Sequence, residues 1–273
     1  MKQACASIVA TAALVTALGS GAAGAAVLDV TVRGSDAIFL AGRTDITIPP
    51  ASDPWNSPTG MQRHGGPTPE EIQETFPPFL GVVGGDIIRL ADPSIGGISY
   101  FNGIGAPFYG PEGNNADCLG TSCSDLSSFG GISGYFGPEG ALVGVFLDDG
   151  IPASGAPARL NFSTAGLGRN FLTLSPGLGQ IFYIGNGVTT SSIFQEFVAP
   201  TGATRLFLGI PDGFGFDGVP GAYDDNDGAY QVRIGVNEVP TVPEPGVLAL
   251  LGLGLVGLAA ARLRGSQGMK GAA

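Results

Sequence analysis

Short stretches of alternating apolar and polar residues recur along the chain. In residues 28–33, Leu28, Val30 and Val32 alternate with polar positions, and residues 229–236 show the same pattern over a longer run. A period of two is typical of a β-strand with one buried face. No sustained helical period is found between the two ends of the chain. The other predicted strands are residues 38–40, 85–90, 141–147, 171–174, 180–184 and 204–210.

Turn-forming residues separate these strands. The chain contains 47 glycines and 21 prolines, and the turn signals recur about every ten residues, the spacing of sandwich and barrel folds. The pattern therefore predicts an all-β, jelly-roll-type β-sandwich. Residues 48–78 are rich in Pro and Gly and are predicted to form a long loop. Gly-Pro-Glu-Gly occurs twice, at residues 110–113 and 137–140, and each copy is predicted to be a tight turn.

The N-terminus has the pattern of a secretory signal peptide. Lys2 precedes a short apolar run, which is followed by small residues, including the Ala-rich stretch 22–26. This order is that of a charged region, a hydrophobic region and a cleavage site. We expect residues 1–26 to be the signal peptide and the mature chain to begin near Val27.

The C-terminus has three parts in order. Pro243-Glu244-Pro245 is followed by the apolar segment 246–261 and by a basic pair, Arg262 and Arg264. This order resembles a PEP-CTERM sorting signal, whose Pro-Glu-Pro motif is matched residue for residue. The resemblance implies processing by an exosortase, a membrane enzyme of bacteria, and transient insertion in the inner membrane. A permanent anchor is the alternative, because the segment is near the short end of a spanning helix.

These two ends bound three predicted regions. They are a signal peptide at 1–26, a β-sandwich domain at 27–238 and a sorting tail at 239–273 with a membrane helix at about 246–261. We expect the protein to be exported, to pass through a transient inner-membrane intermediate and to finish at the cell surface or outside the cell.

The region between the two signals is strongly acidic. Of the 12 basic residues, Lys2, Arg262, Arg264 and Lys270 lie outside residues 27–245, which leaves eight arginines against 23 acidic residues and a net charge near −15. Nucleic-acid binding requires clustered cations, so this balance argues against a nucleic-acid partner. It is compatible with divalent cations and neutral sugars.

Two cysteines, Cys118 and Cys123, remain in the mature region. An even pair in an exported protein, separated by a short Gly-containing segment, predicts a disulfide that closes a small loop. A zinc site is the alternative, but it requires further ligands, and the single histidine, His64, has no paired partner in the sequence.

The densest acidic cluster lies before the last predicted strand. Residues 224–227 read Asp-Asp-Asn-Asp and are bounded by glycines at 221 and 228. Successive oxygen-bearing side chains in a loop are able to converge on calcium, which takes six to eight oxygen ligands. A hydrated hairpin turn is the alternative, since Asp, Asn and Gly are common turn residues.

Several motifs occur in the same order as in the PA-IL-like galactose-binding calcium lectins. They are Gly-Asp-Ile-Ile at 85–88, Ser-Tyr at 99–100, Gly-Pro-Glu-Gly at 110–113, Gly-Ala-Leu-Val at 140–143 and Val-Pro-Gly-Ala-Tyr at 219–223. The resemblance implies a galactose-binding-like β-sandwich whose calcium contacts sugar hydroxyls. Carried over, it implies side-chain ligands Asp225 and Asn226, backbone carbonyl ligands Ala222 and Tyr100, and a carboxylate from Asp212 or Asp217.

The chain departs from that family in two places. The segment 208–221 is longer than the family's, so the sequence leaves the choice between Asp212 and Asp217 open. The family's sugar-contacting His-Pro pair has no counterpart after Gly113, where Asn114 stands instead.

Catalysis is not expected. A Ser-His-Asp or Cys-His arrangement would have to use His64, which has no activated nucleophile nearby in the sequence. A glycosidase pair formed by Glu112 and Glu139 is formally open, but both residues belong to predicted turns. The sequence thus predicts a calcium-dependent carbohydrate-binding-like protein whose partner is a polysaccharide. The alternative is a structural matrix or surface protein without a ligand.

Overall fold

The computed structural model describes residues 25–48, 74–100, 107–114, 117–118, 123–152 and 155–238. The chain divides into two compact units, Met1–Val239 and Pro240–Ala273, and all described residues belong to the first. The regular secondary structure of the described part consists of β-strands and three short 3-10 turns, which confirms the all-β prediction. Its strands are β1 Ala26–Arg33, β2 Phe79–Gly81, β3 Ile87–Leu90, β4 Ile95–Ser99, β5 Ser124–Leu126, β6 Tyr135–Gly137, β7 Val143–Leu147, β8 Thr173–Leu174, β9 Ile181–Tyr183, β10 Glu196–Val198, β11 Arg205–Gly209, β12 Asp217–Gly218 and β13 Asp227–Val236.

The strands form three sheets. The largest has six strands in the order β1-β13-β3-β10-β8, with β4 also paired to β13. A second sheet has the order β2-β11-β7-β9, and a small third sheet has the order β12-β5-β6. The two larger sheets share one hydrophobic core, where the rings of Phe182 on β9 and Phe197 on β10 lie 5.2 Å apart. This arrangement fits a β-sandwich; the jelly-roll topology stays a prediction.

The longest strand, β13, organises the large sheet. Its apolar positions Tyr230, Val232, Ile234 and Val236 are all buried, as the alternation predicts. The strand pairs with β1 in antiparallel register along the whole of β1, from Ala26 opposite Val236 onward. On the other side it pairs with β4 and β3.

The structure corrects two details of the predicted strands. Residues Ile38–Leu40 form a buried 3-10 turn rather than a strand, because the Leu40 and Ala41 amides bond back to Ala37 and Ile38. Along β1, only Val32 of the alternating apolar residues is fully buried, and Leu28 is exposed, because β1 is an edge strand.

Strand β4 escaped the pattern analysis although it leads to Tyr100. Its centre is Gly96-Gly97, and glycines weaken a strand signal. A side chain at Gly96 is excluded by packing, since a Cβ there would lie 2.2 Å from the Ala229 carbonyl oxygen on β13. The glycine therefore allows β4 to approach β13 closely.

Several predictions lie outside the described residues. They concern residues 1–24 of the signal peptide, most of the long loop with His64, and the sorting tail with its helix at 246–261. Among the residues that the structure does describe, no helix has the length and apolar character needed to cross a membrane.

Candidate functional site: an oxygen-lined cavity

The segment before β13 makes a tight turn. Ala222 adopts the left-handed conformation, with φ 62° and ψ 25°, and a 3-10 turn over Tyr223–Asp225 follows. The Asn226 backbone N–H closes this turn by donating to the Tyr223 carbonyl at 3.3 Å. A left-handed alanine is strained, and such strain is concentrated at functional sites.

Asp212 and Asn226 form a buried pair beneath this turn. Asp212 is 2 % exposed and Asn226 is 7 % exposed. The Asn226 Nδ2 donates to Asp212 Oδ2 at 2.7 Å and to the Gly34 carbonyl at 3.0 Å, while Asp212 Oδ1 accepts from the Gly213 amide at 2.7 Å. Because both acceptors lie on the Nδ2 side, the amide orientation of Asn226 is fixed.

The Asn226 amide oxygen has a different environment. Oδ1 is buried, and no hydrogen-bond donor reaches it among the described residues. Leaving a buried acceptor unsatisfied costs free energy, so such an atom calls for an explanation. A bound cation is one explanation, because an amide oxygen is able to coordinate it.

Tyr223 holds the Asp212 backbone in place. Its hydroxyl donates to the Ile210 carbonyl at 2.8 Å and accepts from the Asp212 amide at 3.2 Å. Burial raises the pKa of the Tyr223 phenol well above its usual value, and the nearby Asp212 carboxylate raises it further. The tyrosine is thus a neutral structural support for Asp212.

Two further tyrosines, Tyr100 and Tyr230, are held by hydrogen bonds near the cavity. The hydroxyls of Tyr100 and Tyr230 lie 3.0 Å apart, and Tyr100 donates to the Gly140 carbonyl at 2.8 Å. The Tyr230 hydroxyl lies 3.0 Å from both the Gly140 and the Gly110 carbonyl oxygens. The pair therefore bonds to one glycine from each Gly-Pro-Glu-Gly motif.

These elements enclose a cavity of about 350 Å³. Of the six predicted ligand residues, Tyr100, Asp212, Ala222 and Asp225 line it. Asn226 is not in the lining but bonds to Asp212. Asp217 is exposed on β12 and does not line the cavity, so Asp212 is the carboxylate that the fold brings to the others.

Among the lining residues that were not assigned to this site from the sequence, Glu139 and Phe214 add a carboxylate and an exposed ring. Glu139, which the sequence placed in a turn, contributes a further carboxylate, and its Oε2 accepts from Asn114 Nδ2 at 2.8 Å. Phe214 adds an exposed aromatic ring. Neither has a sequence signal for this position, since each is a single residue in a Gly-rich turn.

The atoms that could bind a metal in this cavity are oxygens, and the side chains that carry them are not tightly clustered. Within the described residues, no group of three or more His, Cys, Asp or Glu side chains is placed to hold a metal ion. Asp212, Asp225 and Glu139 line the cavity, so a metal there would have to combine at most two of these carboxylates with amide or backbone carbonyl oxygens.

The two cysteines of the mature region form the predicted disulfide. The Cys118 and Cys123 Cα atoms are 5.0 Å apart, and the bond closes a short loop. Next to it, Asp117 forms an ion pair with Arg169 at 2.8 Å. Because the disulfide uses both sulfurs, these cysteines do not supply thiolates to a zinc ion.

The described residues form an all-β domain with a cavity between its loops. Comparison with known proteins adds the sorting signal, because residues 241–264 match the PEP-CTERM protein-sorting motif. The motif implies an exported, exosortase-processed protein of the cell surface or extracellular space. No curated protein and no solved structure matches the chain significantly.

Proposed function

We propose that the exported domain is a calcium-dependent carbohydrate-binding module of the cell envelope or extracellular matrix, without a catalytic cycle. The observation that carries the proposal is the cavity itself. Residues from the end of β4, from the segment after β11 and from the turn before β13 meet there, and they are residues that the lectin resemblance selects.

The residues present fit calcium. Asp212 and Asp225 carry carboxylates and line the cavity, and Asn226 carries a buried amide oxygen without a hydrogen-bond donor among the described residues. Ala222 and Tyr100 also line the cavity, and the lectin resemblance assigns their backbone carbonyls as ligands. Calcium accepts six to eight such oxygens in flexible geometry, which leaves positions for ligand hydroxyls. When bound, the ion would supply direct coordination of sugar hydroxyl groups.

The protein's own residues prepare the site. Tyr223 and Asn226 hold Asp212 from two sides, so its carboxylate stays in place without a metal. Tyr100 is fixed through its hydroxyl, which bonds to Gly140 and Tyr230. Side chains that are already held in place lose less conformational freedom when a metal ion or sugar binds.

Calorimetric titration of the full-length chain with calcium tests the metal site. We expect binding between about micromolar and millimolar affinity, loss of binding in the Asp225→Ala, Asn226→Ala double variant, and unchanged binding in Asp217→Ala. The Asp217 variant is the matched control, because it removes an exposed carboxylate of the neighbouring segment that does not line the cavity. No heat and no thermal stabilisation by calcium would favour the structural alternative.

Sorting is tested separately by mass spectrometry of the exported protein. We expect a mature chain that begins near Val27 and lacks Arg262 and Arg264. A C-terminus that ends at Ala273 would show that the tail is retained as an anchor or a passive segment.

A further inference from the structure

Strand β1 is an open edge of the large sheet. Among the described strands it pairs with β13 alone, and this pairing runs without a bulge over all eight residues of β1. Edge strands are usually protected against pairing with another chain by a lysine, a proline or a bulge. Residues 26–33 contain no lysine or proline, and Val27 and Leu28 are 40 % and 37 % exposed. The edge is therefore suited to accept a further strand.

The hydrogen bonds to β13 show which backbone groups this edge offers. The Gly34 amide donates to the Gly228 carbonyl at 3.1 Å, and Gly34 continues the register of β1 with β13. In an antiparallel ladder, residues that bond to the neighbouring strand alternate with residues that do not. The even-numbered residues of β1 therefore bond to β13, and the N–H and C=O groups of Val27, Asp29 and Thr31 point to the open side.

The Arg33 end of this edge is already closed. The Arg33 amide donates to Asp36 Oδ2 at 2.7 Å, and the Arg33 carbonyl accepts from the Asp36 amide at 3.0 Å. Both backbone groups of Arg33 thus have partners within the domain. A strand that docks on β1 is limited to the open residues between Val27 and Thr31.

The side chains of β1 favour a second copy of this chain in one register. When the open residues of two antiparallel copies pair with one another, the two-fold axis passes through Leu28, Asp29 or Val30. The axis at Asp29 places two carboxylates directly opposite each other, which is destabilising, and the axis at Leu28 places Asp29 opposite an apolar residue. The axis at Val30 places Asp29 opposite Thr31 of the second copy. Arg33 of that copy is then a diagonal neighbour of opposite charge, within reach of Asp29.

We propose that two copies of the domain associate through the open edge of β1, antiparallel, with Val30 facing Val30 at the two-fold axis. In this register, Asp29 of each copy and Thr31 of the other exchange both of their backbone hydrogen bonds. The two six-stranded sheets become one continuous sheet. The proposal does not depend on calcium or sugar binding.

This arrangement places the two cavities far from each other. The Asn226 side chain donates to the Gly34 carbonyl at 3.0 Å, so the turn that lines the cavity lies at the Arg33 end of β1. Because the two copies of β1 run in opposite directions, their Arg33 ends point away from each other. The dimer therefore has one cavity at each end of the joined edge.

Sedimentation velocity of the exported protein over a range of concentrations tests the interface. Salt of about 0.15 M or more screens the repulsion between the two acidic domains. Thr31→Pro removes the outward N–H, which the ladder with β13 does not use, and proline is tolerated on an edge strand in that orientation. Thr31→Ala is the matched control, because it removes the same hydroxyl and its 2.8 Å bond to Gln231 but keeps the N–H.

We expect concentration-dependent dimers of the wild type and of Thr31→Ala. Thr31→Pro should weaken dimerisation at least about tenfold, since by symmetry one hydrogen bond is lost from each copy. Hydrogen–deuterium exchange of the wild type is a second readout that needs no variant. At high protein concentration, exchange within β1 should slow at the Asp29 and Thr31 amides, whereas the even-numbered amides are protected by β13 at any concentration.

A wild type that stays monomeric at every concentration would overturn the proposal. Dimers that Thr31→Pro leaves unchanged would place the contact elsewhere on the chain, and equal weakening by Thr31→Ala would show that the outward N–H is not the contact. If Thr31→Pro fails to fold, exchange decides, because Asp29 and Thr31 amides that exchange equally fast at low and high concentration refute the pairing. Calcium titration is a separate measurement, so the proposed function stands or fails independently.

Discussion

Substitution of Asn226 by Asp separates a metal site from an ordinary buried hydrogen-bond network. The change replaces the Nδ2 donor with a carboxylate oxygen, while the side chain keeps its size. Both bonds that Nδ2 donates are lost, at 2.7 Å to Asp212 Oδ2 and at 3.0 Å to the Gly34 carbonyl. The first contact becomes a repulsion between two carboxylates.

The expected cost follows from those two bonds. A hydrogen bond to a charged acceptor contributes about 1.5–3 kcal/mol and one to a neutral carbonyl about 0.5–1.5 kcal/mol, so Asn226→Asp should lose at least about 2–4.5 kcal/mol of unfolding free energy without calcium. Calcium would reverse part of that loss, because an ion bridging Asp212 and the new carboxylate cancels their repulsion. At about 100 times its dissociation constant, a ligand adds about 2.7 kcal/mol.

Urea unfolding, followed by circular dichroism in EDTA and in calcium, measures both effects. We expect the stability gap between Asn226→Asp and the wild type to narrow in calcium and to stay wide in magnesium, which prefers a smaller, octahedral site. Asn226→Ala, which loses the amide oxygen without supplying a carboxylate, should show a wider gap in calcium than in EDTA, because the ion then stabilises the wild type more than the variant. An equal gap for Asn226→Asp in EDTA and in calcium would refute a metal at this position.

Further predictions concern the supports of the cavity and a remote acid. Tyr230→Phe should lose about 1–3 kcal/mol in urea unfolding, because the Gly110 carbonyl loses its hydroxyl donor; an unchanged midpoint would contradict this. Gly140→Ala should lose more unfolding free energy than Gly85→Ala. Both glycines have positive φ, but a Cβ at Gly140 would lie 2.0 Å from the Tyr100 ring, whereas the space at Gly85 is open. Burial raises the pKa of the Asp36 carboxyl above its usual 3.8, so the stability contributed by its neutral form is complete below pH 3.8 and is lost as pH rises through the folded-state pKa. As pH rises through that range, the unfolding free energy of Asp36→Asn should therefore increase relative to that of the wild type. A difference in urea midpoint between the two proteins that does not vary with pH would contradict this.

Local patterns predicted the strands that carry regular apolar residues. β3, β7, β9, β11 and β13 lie inside their predicted ranges or within two residues of them, because their side chains alternate or form short buried runs. β4 was missed because glycines occupy its centre. β2, β5, β6, β10 and β12 were missed because two or three residues are too few for a period of two to show. Ile38–Leu40 is an apolar run because all three side chains are buried, and such a run does not distinguish a strand from a buried 3-10 turn, so the predicted strand was wrong.

The candidate site was predictable from the sequence only where its residues lie close together in the chain. Residues 222–226 form one turn, and their oxygen-rich composition is visible in the sequence. That Asp212 and not Asp217 lines the cavity depends on the direction in which the loop after β11 returns to β13. The position of Phe214 depends on two consecutive left-handed residues, Gly215 and Phe216. Both are set by tertiary contacts, which leave no periodic signal in the chain.

The two Gly-Pro-Glu-Gly motifs have a physical role that connects the fold to the cavity. The carbonyls of Gly110 and Gly140 both bond to the tyrosine pair, and Gly140 has no space for a side chain beside Tyr100. The first copy is a turn closed by the Gly113 amide on the Gly110 carbonyl, whereas the second copy begins inside β6. The two copies fix Tyr100 and Tyr230 but do not mark a repeated structural unit. Since Tyr100 is one wall of the cavity, a change in either turn should alter binding through the position of that wall, although neither glycine has to contact the ligand.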